Sequence, residues 1–195
     1  MTEIKEKKVD EIRKEAELKD CPVDKALYYI NGFLEGPMCG RCLPCSLGSY
    51  EARVRLTRIT EGRGTDDDIK TVKKIASIMS EASMCKKGKD TAQFILEWLK
   101  SGVYEEHIEG RCRAHTCKAL IEYKIKPALC TMCDRCREVC MDNAIIGEKA
   151  KGFKSGYLPY EIRQRRCTKC GECIKVCPTE AVILVDIKPA VEVKV

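Results

Sequence analysis

Long apolar runs are missing from this sequence of 195 residues. No stretch of about 18 or more apolar residues occurs, so no membrane-spanning helix and no membrane insertion is expected. Met1 to Asp20 is charged and lacks the apolar segment of a secretory leader. Aromatic residues make up only 6%, too few to favour a surface on which bases stack. No glycine-rich phosphate loop follows a strand. Gly62 and Gly64 come nearest, but Asp66, Asp67 and Asp68 follow them and would repel phosphate. No nucleophile with a base, and no paired acid and base, stands out. The expectation is a chain with no catalytic residues and no flavin or NAD site of its own.

Cysteine is what the chain has in excess, at 15 residues. Without a sign of secretion, these belong in a reducing, cytoplasmic setting and read as metal ligands rather than disulfides. The net charge of +6 then needs correction. Cysteines that bind metal do so as thiolates, so the formal count overstates the positive charge. The lysines and arginines are therefore no argument for nucleic acid.

One pattern occurs twice. Cys130, Cys133, Cys136 and Cys140 are followed 37 residues later by Cys167, Cys170, Cys173 and Cys177. Ala144-Ile145 is answered by Ala181-Val182 at the same offset. Each half reads C-x2-C-x2-C-x3-C. Three thiolates on a short loop cap one face of a cubane, and the fourth is carried away to the other cluster. By that logic Cys130, Cys133, Cys136 and Cys177 hold one [4Fe–4S] cluster, and Cys167, Cys170, Cys173 and Cys140 the second. The bland alternative is a pair of structural zinc sites, which duplicated four-membered runs do not favour. This region resembles a two-cluster bacterial ferredoxin, with Met141 where that pattern usually has proline.

Upstream the periodicity is helical. Residues 3 to 19 read as a thin-striped, loosely held helix. Leu27, Ile30 and Leu34 share a face that ends at Gly36-Pro37. Helices are also expected from about Leu47 to Ile59, from Thr65 to about Glu81 behind a Thr65/Asp68 capping box, and from about Asp90 to Leu99. Trp98 reads as packing. Three stretches, Cys39-Gly-Arg-Cys42-Leu-Pro-Cys45, Glu61 to Asp68, and Met84-Cys85, resemble the C-terminal helical bundle of NADH dehydrogenase flavoprotein subunits. Those subunits occur in respiratory complex I and in related multimeric, often bifurcating, hydrogenases and formate dehydrogenases. The resemblance implies one [4Fe–4S] cluster on Cys39, Cys42, Cys45 and Cys85. The flavin- and nicotinamide-binding region of that family has no counterpart here, so oxidation of NADH is not carried over.

Cys21, Cys112 and Cys117 are left over. With His107 they make a three-cysteine, one-histidine set for a structural Zn²⁺, with His115 as an alternative and a [2Fe–2S] centre or plain packing as others. Strands are expected at Ile121 to Ile125 and Val182 to Val185. Between the ferredoxin halves, Lys149, Lys151 and Lys154 read as a solvated loop, with an acidic partner such as a soluble ferredoxin as the second reading. The tail after Pro189 alternates and reads as an edge strand or an ordered tail.

The fold class expected is α+β: a charged N-terminal helix (1–20), a helical iron–sulfur bundle with the zinc set (21–118), and a ferredoxin-like domain with two [4Fe–4S] clusters (119–195). The function expected is an electron-transfer subunit of a cytoplasmic oxidoreductase complex. It passes single electrons through three [4Fe–4S] clusters between a flavin or NAD(P)H-type partner and a low-potential one, such as a hydrogenase or formate dehydrogenase. The alternatives are a stand-alone ferredoxin-type carrier or a zinc-binding interaction module.

Overall fold

A computed structural model describes residues 7–151 and 160–188. Lys154 and the tail after Pro189 lie outside the described residues. The chain forms two compact units: among the described residues, one holds those up to Leu120 together with Lys188, and the other Ile121–Ile187.

The first unit is helical: α1 (Val9–Glu17), α2 (Pro22–Glu35), α3 (Leu43–Thr60), α4 (Asp66–Ala82), α5 (Lys86–Leu99) and α6 (Val103–Ile108). Its core draws Ala26 and Ile30 from α2, Leu56 and Ile59 from α3, Val72 and Ala76 from α4, and Ile95 from α5, all fully buried. Small residues let these helices approach closely. Gly48 lies against Met79 and Ile75 of α4, where a Cβ would sit 2.7 Å from the Met79 sulfur. The Thr65/Asp68 capping box forms, and Asp68 also accepts from Arg55 at 2.8 Å while fully buried.

Two expectations need correction, and one further helix is not among those expected. The N-terminal helix is not loosely held: its two-residue stripe, Ile12 and Ala16, is buried against Tyr29 and Phe94. A thin stripe suffices because Gly32 of α2 leaves room for Ile12. α5 begins at Lys86 rather than Asp90, because Cys85 takes the N-cap position. α6 carries no sequence signal strong enough to be expected, being only six residues long.

The second unit is built on the repeat. Strands β1 (Ile121–Ile125) and β4 (Val182–Asp186) pair antiparallel, as do β2 (Ile145–Ile146) and β3 (Glu161–Ile162). The pair Ile125–Val182 corresponds to Ile162–Ile145 under the 37-residue shift. The short helices α7 (Arg135–Glu138) and α8 (Glu172–Lys175) correspond in the same way. So do the left-handed residues Met132 and Lys169, Asp134 and Gly171, and Asn143 and Glu180. Even the flanking hydrogen bonds match: Lys126 N–H to Ala181 O and Arg163 N–H to Ala144 O, both 2.8 Å. The unit is two copies of one half.

Candidate metal centres

Two small cavities lie in the second unit. One is lined by Cys130, Cys133, Cys136 and Cys177, with Ile125, Tyr160 and Val182 closing it. The other is lined by Cys140, Cys167, Cys170 and Cys173, with Tyr123, Ile145 and Ile162. Each therefore holds three cysteines of one run and the last cysteine of the other.

The left-handed residues cause this arrangement. Positive φ at Met132 and Asp134, and at Lys169 and Gly171, curls each loop so that its cysteines converge. Backbone N–H groups then point at sulfur. Ala144 N–H donates to Cys140 Sγ at 3.3 Å. Burial pushes the Cys177 thiol up, but the backbones of Val182, Thr179 and Ala181 outweigh it and lower its pKa. Cys136 and Cys173 sit deeper. Burial, then their cysteine neighbours, pushes each thiol up to about 11. Four cysteine sulfurs converging on one small cavity suit a polynuclear cation that takes them as thiolates.

Tyr160 and Tyr123 are also 37 residues apart, an equivalence that sequence reasoning missed. Tyr160 donates to the Asp134 carboxylate at 2.6 Å. At the matching position stands Gly171, and a Cβ there would lie 2.9 Å from the Tyr123 hydroxyl. One half uses an acid beneath its tyrosine and the other an empty place.

In the helical unit, Cys42 is the N-cap of α3, Cys45 lies in its first turn, and Cys85 is the N-cap of α5. Two helix N-termini thus bear on one place, which favours an anionic group there. The Met84 backbone N–H lowers the Cys42 pKa. Burial, followed by the charges of Cys42, Cys85 and Cys39, pushes Cys45 up to about 11. Gly88 keeps the space open: a Cβ there would meet Ser83 Oγ at 2.9 Å and Cys45 Sγ at 3.1 Å. The donor set and the side-chain-free wall both fit a [4Fe–4S] cluster.

Cys21, His107, Cys112 and Cys117 come together as well, though the chain separates the first from the last by 96 residues. All four are buried and their ligand atoms lie within 4.8 Å of one another. His107 Nε2 is 3.2 Å from Cys21 Sγ and 3.3 Å from Cys117 Sγ, and these two sulfurs are 3.7 Å apart. Tetrahedral Zn²⁺, with bonds of about 2.3 Å to sulfur and about 2.0–2.1 Å to nitrogen, spaces its ligand atoms by roughly 3.5–3.8 Å. His107 Nδ1–H donates to Val103 O at 2.8 Å, which turns Nε2 toward the sulfurs. Burial lowers the His107 pKa, but Cys112 and Cys21 hold it up, to about 10. Cys112 is correspondingly driven toward thiolate by Cys117 and Cys21. Three sulfurs and an imidazole nitrogen crowded in one buried place are a donor set that fits Zn²⁺. His115 is not part of this group.

Comparison with known proteins supplies the context. Residues 25–110 match the NADH-ubiquinone oxidoreductase-F iron-sulfur binding region, and residues 129–181 a 4Fe-4S dicluster domain. The chain is 36% identical over 133 residues to the NADP-reducing hydrogenase subunit HndC of Solidesulfovibrio fructosivorans, a match covering 67% of this chain and 27% of the relative. It is 33% identical over 66 residues to the NADP(+)-dependent formate dehydrogenase subunit beta of Moorella thermoacetica, covering 34% and 9%. With an NADH-quinone oxidoreductase subunit of Streptomyces coelicolor it shares 37% identity over 75 residues, covering 37% and 17%. The chain spans about a quarter or less of the length of these relatives.

Proposed function

We propose that this chain, which joins an NADH-ubiquinone oxidoreductase-F iron–sulfur binding region to a 4Fe-4S dicluster domain, is an electron-transfer subunit with three [4Fe–4S] clusters. Cys39, Cys42, Cys45 and Cys85 hold the first. Cys130, Cys133, Cys136 and Cys177 hold the second, and Cys167, Cys170, Cys173 and Cys140 the third. Cys21, His107, Cys112 and Cys117 bind one structural Zn²⁺. The observation that carries this reading is the pair of cavities in which the two cysteine runs exchange their last member.

Each cluster, when bound, stores and releases one electron. The protein's own contribution is to fix position and set potential. Thiolates anchor the clusters, and backbone N–H groups on Cys42, Cys140 and Cys177 favour the more negative, reduced state. The tyrosines and β-strand residues line the cavities of the second unit.

The partners are a flavin- or NAD(P)H-type subunit on one side and a low-potential partner, such as a hydrogenase, formate dehydrogenase or soluble ferredoxin, on the other, in the cytoplasm. The relatives are named as subunits of such oxidoreductases. Among the described residues no helix is long and apolar enough to cross a membrane. A face of α3 favours a subunit over a free carrier. Leu43, Leu47, Tyr50 and Val54 form an exposed apolar stripe opposite the buried Ser49, Ala52 and Leu56. The stripe begins beside Cys42, and Met84 next to Cys85 is 82% exposed. Contiguous exposed apolar surface of this kind marks a contact between subunits.

The test is anaerobic reductive titration of the chain with coulometric readout. Uptake of about three electrons per chain supports the reading; uptake of two removes the cluster of the helical unit, and none removes the function.

A further inference from the structure

Two serine hydroxyls in the helical unit have no hydrogen-bond partner among the described residues. Ser49 is fully buried and Ser83 nearly so. A buried hydroxyl without a partner is destabilising. For Ser49 an easy partner is at hand, the carbonyl one turn back. Helical Ser46, Thr57 and Thr91 each bond to the carbonyl four residues earlier, at 3.1, 2.8 and 2.9 Å. Ser49 does not.

Both hydroxyls belong to the surroundings of Cys45. Ser49 lies one turn after Cys45, and both are on the buried face of α3. Ser83 closes α4 two residues before Cys85. Its Oγ and Cys45 Sγ lie 2.9 and 3.1 Å from a single point, the place a Cβ on Gly88 would fill. Glycine keeps clear the gap that these two atoms share.

We propose that Ser49 and Ser83 donate O–H···S hydrogen bonds to the sulfurs of the Cys39/Cys42/Cys45/Cys85 cluster and raise its reduction potential above what the cysteines alone would set. This rests on the reading of those four cysteines as cluster ligands. A donated hydrogen bond stabilises the reduced cluster more than the oxidised one, because the reduced cluster is more negative. The hydroxyls act as positioning and tuning groups and not as ligands. In the second unit, by comparison, Ala144 N–H donates to Cys140 Sγ and the Thr179 hydroxyl stands 3.9 Å from Cys177 Sγ.

The experiment is EPR-monitored redox titration of the full chain and of Ser49→Ala, Ser83→Ala and the double variant, with iron counted in each. Iron in the unaltered chain is counted first: about eight per chain would refute the ligand reading before the serines are touched. With about twelve, the expected result is full iron in every variant and a downward shift in the midpoint of one signal only. The shift is larger in the double variant, the other two signals serve as internal references, and Ser49→Thr, which keeps the hydroxyl, stays at the original midpoint. An unchanged midpoint, an equal shift of all signals, or a Ser49→Thr variant that falls as far as alanine would overturn the proposal. So would loss of about four irons from the alanine variants, which would make the hydroxyls determinants of assembly instead.

Discussion

Asp68 shows what a single buried charge does here. It caps α4 through Thr65 and receives Arg55 at 2.8 Å and Arg58 at 3.4 Å. Burial alone would raise its pKa, but Arg55 and Thr65 outweigh burial and hold the carboxyl below its usual value. Asp68→Asn should therefore destabilise the helical unit by about 2–3 kcal/mol in denaturant unfolding near neutral pH. The sign of the pH dependence follows. A depressed native pKa contributes stability above the unfolded value, about 3.9, and loses it as pH falls through the native one. The gap between the parent and Asp68→Asn should be full above about pH 4 and close below it; a gap that widens in acid would contradict the assignment. Gly88 makes the opposite point, that an absent side chain can be essential. Gly88→Ala puts a methyl 2.9 Å from Ser83 Oγ and Cβ. It should cost about 1–3 kcal/mol and reduce bound iron by about four per chain, read by iron assay. A variant with full iron would show that the gap is not needed.

At the scale of elements, the repeat in the second unit allows a comparison inside one molecule. Tyr160 and Tyr123 are equivalent, yet only Tyr160 has a carboxylate under its hydroxyl, since Gly171 stands where Asp134 would be. Tyr160→Phe should lower stability by about 1.5–3 kcal/mol, because it strips a hydrogen bond from a charged, buried acid. Tyr123→Phe should cost less. Equal losses in thermal unfolding would mean the Asp134 contact contributes nothing. The elements also show how far the sequence is legible. The 37-residue offset is visible in eight cysteines and two apolar pairs, because ligand chemistry tolerates few spacings. The left-handed positions share that offset but differ in residue type between halves, as Asp134 and Gly171 do, and so give no repeated letters. The start of α4 can be read from its capping box. The packing of α1 cannot, because its place depends on Gly32 of the next helix, a contact that no periodicity records. The double-sided apolar pattern of α3 is hidden because its two stripes cancel as an amphipathic signal. Ser49 and Ser83 carry no signal at all; hydroxyls acquire meaning only once burial removes their partners.

For the whole molecule, stability and metal content are linked. In the helical unit, Cys21, Cys112 and Cys117 belong to the same buried cluster as Ile30, Leu56 and Ile95. An ion on Cys21, His107, Cys112 and Cys117 would tie the start of α2 to the loop after α6. Its removal would leave three buried thiols and an imidazole in the core. His107→Ala should lose zinc and lower the unfolding temperature, while dicluster EPR signals persist. Retained zinc in that variant would exclude His107 as a ligand. The central claim is that the cysteines are divided between three cubanes and one zinc ion. Iron, acid-labile sulfide and zinc should therefore be measured on protein purified without oxygen. About twelve irons, twelve sulfides and one zinc per chain are the result predicted. Abundant zinc with little iron or sulfide would contradict it and end the electron-transfer reading.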